Sequence, residues 1–219
     1  KINDPKEKSE NKRCIRFANN GENIWDEALG ANLIGSTMVV YTSSSRFVDV
    51  PADAYYADAV AWAVKNSITT GTSATTFGPS ESCTRDQMVT FLWRAAGKPN
   101  PQITACTFTD VKKGSYYETA VLWAVEQGII KGTSETTFSP EEMVTRAQAV
   151  TMLWRMEGEP KASGKTPFTD VVPGAYYETA VLWAVETGVT KGTSTTTFGP
   201  EDDCIREQIV TLLYRDMNE

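Results

Sequence analysis

Three copies of one sixty-residue pattern fill most of this chain, which restricts it to folds where one small unit packs against copies of itself. Phe47, Val48, Asp49 and Val50 return as Phe108, Thr109, Asp110 and Val111, and again as Phe168, Thr169, Asp170 and Val171. Behind each start come a double Tyr, a Trp, a Gly-Thr-Ser loop, a Phe-x-Pro and an Arg-x-x-Gln. The starts lie 61 and 60 residues apart, Trp62, Trp123 and Trp183 keep those intervals, and residues 108–138 match 168–198 at 24 of 31 positions. A unit used three times implies a function that belongs to the assembly.

Within a unit, Tyr55, Tyr56, Ala59, Val60, Ala63 and Val64 recur on the period of an amphipathic helix, as do the matching residues of 116–125 and 176–185. Ala59/Ala63, Ala120/Ala124 and Ala180/Ala184 put small side chains on one face, where a neighbouring helix can approach closely. Gly128 and Gly188 are placed to end this helix as C-caps, with Ser67 the weaker stop in the first unit. The loops 71–79, 132–140 and 192–200 follow, with Phe77, Phe138 and Phe198 expected as anchors in the core. A second helix is expected to open at Thr84 and Thr145, where Thr-x-x-Gln reads as a capping box completed by Gln87 and Gln148. Gly97 and Gly158, followed by Pro99 and Pro160, stop it. The third unit has Ile205 in place of the capping hydroxyl, at an expected cost of about 1 kcal/mol.

The organisation expected is an N-terminal segment or linker over 1–46, the tail of an upstream domain, then units over 47–99, 108–160 and 168–219. Residues 1–46 hold no copy of the repeat; 24–33 reads as a short helix and 38–41 as a strand. The chain begins at Lys1 without a signal-peptide pattern and reads as a mature chain or a fragment. No apolar run approaches the roughly 20 residues of a membrane-spanning helix.

The absence of His removes Ser-His-Asp and Cys-His catalysis and His-ligated metal sites. Cys14, Cys83, Cys106 and Cys204 include no close-spaced pair, so neither a metal nor a redox motif is expected. Cys83 and Cys204 hold equivalent places where the second unit has Val144, which reads as a small buried apolar residue rather than a disulfide partner. No cofactor and no catalytic residue is expected.

Phe-x-Asp-Val, the aromatic-rich helix, Gly-Ile/Val-x-x-Gly, Phe-x-Pro and Thr-Arg-Ala-Gln together resemble the S-layer homology motif of bacterial surface proteins, over residues 47–219. Two departures stand out: the family's usual Glu in Thr-Arg-Ala-Glu is Gln87, Gln148 and Gln208 here, and Tyr-Tyr stands where His-Trp or a similar pair is common. The resemblance implies a mainly α fold, three helix–loop–helix motifs in one pseudo-threefold domain, each giving a helix to a central bundle. It also implies an extracellular, wall- or S-layer-associated module whose inter-motif grooves hold secondary cell-wall polysaccharide, often acidic or pyruvylated. By position the ligand-contacting arginine would be Arg85, Arg146 and Arg206. Asp49, Asp110 and Asp170 would line or organise the grooves, with Thr84, Thr145, Gln87 and Gln148 beside the arginines.

The residues themselves make this chemistry plausible and leave an alternative open. A cation in the first helical turn opposes the helix dipole, so three of them suggest a role beyond folding, such as forked hydrogen bonds to a carboxylate beside free N–H groups. The alternative is a structural clasp to a neighbouring acid, the motif-starting Asp among them. Those Asp residues also read as caps of the following turn. Arg94, Arg155 and Arg215 lie in last turns, where a cation suits the dipole, and read as structural. Trp62, Trp123 and Trp183, with Trp93, Trp154 and Tyr214, read mostly as core, and the Thr/Ser-rich loops as satisfying their own turns.

Residues 47–219 hold 14 Lys and Arg against 22 Asp and Glu, a net of −8, which excludes a nucleic-acid backbone as partner. An acidic polymer fits only if positive charge is gathered in the grooves. A glycoside hydrolase needs a singular carboxylate pair, whereas the notable acids here come in threes as scaffold residues do. The alternatives are a non-catalytic protein-binding or lattice-forming repeat, or the C-terminal anchor of a wall-active glycoside hydrolase whose catalytic domain lies upstream of Lys1. Replacing Arg85, Arg146 and Arg206 by Ala is expected to abolish wall binding with thermal unfolding nearly unchanged, units 1 and 2 mattering more than unit 3.

Overall fold

The computed structural model describes residues 47–218 and the backbone of three short strands before them. β1 (Ile24–Asp26), β2 (Ala31–Ile34) and β3 (Thr37–Val40) form an antiparallel sheet in that order, with Ile24 opposite Leu33 and Leu33 opposite Met38. The helix expected over 24–33 is therefore replaced by strands β1 and β2, while the expected strand at 38–41 falls on β3. Ile24 and Trp25 are β-favouring residues, and their antiparallel partners Leu33 and Asn32 lie in the same ten-residue stretch, whose two halves pair with each other in place of one helix.

The regular elements of the repeated region are all helices, joined by long loops. Each unit gives a nine-residue first helix, α1 (Ala57–Lys65), α3 (Glu118–Glu126) or α5 (Glu178–Glu186). Each then gives a longer second helix, α2 (Arg85–Ala95), α4 (Arg146–Met156) or α6 (Arg206–Met217). The first helices start after the Tyr pairs, not at them. Tyr55, Tyr116 and Tyr176 are 63%, 58% and 59% exposed, whereas Tyr117 and Tyr177 are buried.

First and second helices of one unit are not partners. α3 packs on α2, α5 on α4, and α1 returns to α6, so every first helix lies against the second helix of the preceding unit and the ring closes from last to first. The facing Ala pairs explain the fit: Ala59, Ala63, Ala120, Ala124, Ala180 and Ala184 are all buried. α6 also touches α2 and α4 at the centre. Phe77, Phe138 and Phe198 are fully buried, as the loop pattern requires.

Backbone hydrogen bonds repeat the cycle about the pseudo-threefold axis. The Cys83 N–H donates to the Cys204 carbonyl (2.9 Å), Cys204 N–H to Val144 (2.8 Å) and Val144 N–H to Cys83 (2.9 Å). Cys83 and Cys204 are buried free thiols, as their alternation with Val144 suggests. Cys14 lies outside the described residues.

Two local details fix each unit. Gly132 has φ +76° and the Phe108 ring stands where a Cβ would sit, 2.5 Å away, so the motif-starting Phe and the Gly-Thr-Ser loop require each other. Ser67 (φ 58°) takes the left-handed stop conformation held by Gly128 (φ 71°) and Gly188 (φ 77°) in the other units.

Candidate functional site

The first turn of each second helix is built by the next unit around the ring. Arg85 N–H donates to the Glu142 carbonyl and Asp86 N–H to that of Pro140. Arg146 and Ala147 do the same to Asp202 and Pro200, and Arg206 and Glu207 to Glu81 and Pro79. The N–H groups expected to be free for a ligand are thus taken by carbonyls of the Phe-x-Pro loop, which satisfy the first-turn donors that side-chain caps do not reach. The capping boxes are incomplete for the same crowding. The Thr84 hydroxyl bonds Asp86 Oδ1, which also accepts from Gln87 N–H (2.8 Å). Gln148 N–H reaches Thr145 Oγ1 at 3.3 Å, but the Gln148 side chain is turned to Arg85. At α6, Gln208 Oε1 accepts from Ile205 N–H at 3.4 Å, half of a box without the hydroxyl.

Arg85, Arg146 and Arg206 are 3%, 6% and 5% exposed. Each gives its Nε–H to the carbonyl of the loop Phe in the next unit: Arg85 to Phe138 (2.9 Å), Arg146 to Phe198 (2.7 Å) and Arg206 to Phe77 (2.9 Å). Each guanidinium also lies over that same ring, 5.0, 4.9 and 4.9 Å from its centroid. Among the described residues none is within ion-pair distance of a carboxylate, so the expected clasp to the motif-starting Asp does not form; the clasp is to a carbonyl and a ring across the unit boundary. Burial lowers the pKa of Arg85 and Arg206, partly offset by surrounding carboxylates, Glu142 and Asp110 for Arg85 and Glu81 and Asp49 for Arg206. Side chains this deeply shared between units hold the ring together, so their removal is expected to lower stability, unlike the near-unchanged unfolding that the sequence suggested.

Both carboxylate oxygens of Asp49, Asp110 and Asp170 accept backbone N–H groups of the loop. Asp49 accepts from Phe77 N–H (2.8 Å) and Gly78 N–H (2.8 Å), Asp110 from Phe138 and Ser139 (2.8 and 2.7 Å), and Asp170 from Phe198 and Gly199 (2.8 and 2.7 Å). Desolvation pushes the Asp170 carboxyl up, but the Phe198 and Gly199 N–H groups outweigh it and hold it below its ordinary value. These acids position the loop whose Phe carbonyl receives the arginine.

A cavity of about 340 Å³ opens beside α6. Arg146 of the second unit, Tyr55 of the first, and Lys191, Gln208 and Arg215 of the third line it, so all three units build one groove. By the pseudo-threefold relation of the units, the equivalent places are Tyr176, Arg85 and Arg155 beside α4, and Tyr116, Arg206 and Arg94 beside α2. Arg94, Arg155 and Arg215 each donate Nη1–H to a carbonyl that follows the first helix, Ile68 (3.0 Å), Ile129 (3.3 Å) and Val189 (3.4 Å), as structural residues do. Trp123 and Trp183 are core, while Trp62 is half-buried, edge-on to Tyr214 at 5.8 Å.

The groove tyrosines and Lys191 were not legible as groove residues in the sequence: the Tyr pair reads as helix stripe, and nothing local marks the lysine. Their signal was the exchange of helices between units, which no single repeat reveals. A second cavity of about 380 Å³, beside Asp110, Lys112, Tyr117, Glu141 and Glu142, is acidic. Among the described residues no cluster of His, Cys, Asp or Glu could hold a metal ion, and no helix is long and apolar enough to cross a membrane.

Comparison with known proteins agrees with this geometry. The family profile for the S-layer homology domain matches residues 46–89, 107–150 and 167–210, more than half of the chain. An endoglucanase of Bacillus sp. (strain KSM-635) is 40% identical over 111 residues, 51% of this chain and 12% of that protein. The surface-layer 125 kDa protein of Lysinibacillus sphaericus is 32% identical over 114 residues, 52% of this chain and 10% of its own length. An amylopullulanase of Thermoanaerobacterium thermosulfurigenes is 22% identical over 231 residues, 98% of this chain and 12% of the enzyme. The chain thus spans about a tenth of the length of these relatives. Three tandem copies of a cell-surface anchoring motif, closed into one ring, place the chain in the S-layer homology domain family.

Proposed function

We propose that this domain anchors its protein non-covalently to the bacterial cell wall by holding acidic, pyruvylated or otherwise carboxylated groups of a secondary wall polysaccharide in its inter-unit grooves. One observation carries the reading. Three guanidiniums are buried to 6% exposure or less without a carboxylate partner among the described residues, their Nε atoms and ring faces spent on the scaffold. A desolvated cation without a counter-ion is costly, and a carboxylate arriving in the groove relieves that cost. Arg146 lines the open groove beside α6, and Arg85 and Arg206 hold the equivalent places. Tyr55, which lines the same groove, and its counterparts Tyr116 and Tyr176 are exposed aromatic side chains suited to stacking on sugar.

In this reading the ligand set departs from the sequence expectation. Arg85, Arg146 and Arg206 stay in it with Gln148, whose Oε1 already orients Arg85 Nη1 (2.8 Å). Asp49, Asp110 and Asp170 become loop-positioning residues, and Thr84, Thr145 and Gln87 helix-start residues.

Co-sedimentation with purified walls, intact and stripped of their secondary polymer, tests the proposal. Pelleting with intact walls alone supports it, and equal pelleting with both removes it. The endoglucanase and amylopullulanase relatives favour a second, compatible reading, in which the anchored cargo is a polysaccharide-degrading enzyme. Release of reducing sugar by the full-length protein would support that cargo, while the surface-layer relatives favour a lattice protein.

A further inference from the structure

The three grooves share a plan but not a charge. Beside α6 stand Arg146, Lys191 and Arg215. The equivalent cations beside α4 are Arg85, Lys131 and Arg155. Beside α2 they are Arg206 and Arg94 alone, because Thr70 holds the position of the lysine. The carboxylates differ too. At the second residue of each second helix the chain has Asp86, Ala147 and Glu207. Tyr116 donates its hydroxyl to Asp86 Oδ2 at 2.7 Å, and Asp86 is 7% exposed, a fixed negative charge beneath the tyrosine of the α2 groove. Tyr55 makes the same bond to the half-buried Glu207 Oε1 at 2.9 Å, but its groove carries Lys191 where the α2 groove has Thr70. Beside α4 the place of Asp86 and Glu207 is held by Ala147. The carboxylates there are the exposed Glu201 and Glu159: burial raises the Tyr176 hydroxyl and Glu201 adds to the rise, while Glu159 pairs with Arg155 at 3.9 Å.

We infer that the domain holds anionic groups in two grooves, those beside α4 and α6, and that Thr70 and Asp86 set the α2 groove against anions. This rests on the wall-anchoring reading above and fixes its valency. Lys131 and Lys191 are exposed side chains on the loop that ends in the anchor Phe, so they add positive charge to a groove without holding the fold. A domain with two sites engages a polymer bivalently, so closing one lowers apparent affinity by far more than half.

The test places one charge at the same position in each groove. Lys131→Glu, Lys191→Glu and Thr70→Glu chains are titrated against walls bearing their secondary polymer and against stripped walls, with thermal unfolding as the control for folding. Lys131→Glu and Lys191→Glu are each expected to weaken polymer-dependent binding about tenfold or more, and Thr70→Glu less than about twofold. The paired change Thr70→Lys with Asp86→Asn is expected to tighten binding by opening a third groove. Equal losses at all three positions, or no loss at either lysine, overturn the two-groove assignment and leave wall anchoring standing. A wild-type chain that binds stripped walls equally well removes the parent reading and this one with it.

Discussion

Arg206, the first residue of the last helix, donates its Nε–H to the carbonyl of Phe77, 129 residues earlier in the chain, at 2.9 Å. That bond and the packing of α1 on α6 close the third unit onto the first, so the domain is a ring and not an open stack. The groove beside α6 draws side chains from all three units, so it exists only in the closed triplet.

Arg206→Ala is accordingly expected to destabilise the folded domain by about 2 kcal/mol or more, since it strips a buried carbonyl and a ring face of their partner. Arg206→Lys recovers little, because an ammonium cannot reach the Phe77 carbonyl with the planar fork while lying over the ring. Urea denaturation of the two variants checks this; unfolding midpoints unchanged from wild type would place the arginine outside the scaffold.

Gly132 supplies a comparison within one chain. Its φ of +76° is joined by the Phe108 ring 2.5 Å from the place a methyl group would take, whereas Gly97 has φ +84° with open space beyond. Gly97→Ala therefore carries the backbone strain alone, about 1 kcal/mol, and Gly132→Ala adds a displaced core ring. Calorimetry should show the larger drop in Tm for Gly132→Ala.

Much of the unit was legible in the sequence alone. Phe77, Phe138 and Phe198 announced themselves as anchors by position, and Arg94, Arg155 and Arg215 as last-turn residues. What the sequence could not say is which copy meets which. Periodicity identifies the apolar face of α3, but the partner faces of α2 and α4 are so similar that nothing local chooses between neighbours. The same ambiguity hid the partner of Arg85. A first-turn arginine reads as an anion site, and only the arrival of Phe138 from the next unit shows how much of it is spent on closure.

The axial thiols should be chemically silent. Burial pushes both Cys83 and Cys204 up to about 12, while Cys106 is only partly buried. In a Cys14→Ser background, an aromatic disulfide reagent at pH 8 is expected to label Cys106 first. Cys83 and Cys204 should react only at the rate at which the ring opens. Labelling of all three in one fast phase would mean that the axis is open in the native state.

Asp216 makes the domain sensitive to pH in a direction opposite to that of most carboxylates. Its Oδ2 is buried without a hydrogen-bond partner, and its place in the third unit is held by Ala95 and Met156 in the others. Desolvation raises the carboxyl to about 7, with Glu157 at the end of α4 adding to the rise. A folded-state value above the unfolded one means that the folded chain binds the proton more tightly. Stability from this group is therefore present below the ordinary carboxylate range and lost as pH climbs to about 7. Asp216→Ala should leave Tm nearly unchanged at pH 4 and raise it at pH 8, where the wild type holds an uncompensated charge against Glu157. The difference between variant and wild type across that window isolates this carboxyl from every other titrating group. A variant with the same gain at both pH values would assign the effect to packing, since an alanine side chain fills the space identically at either pH while a proton does not.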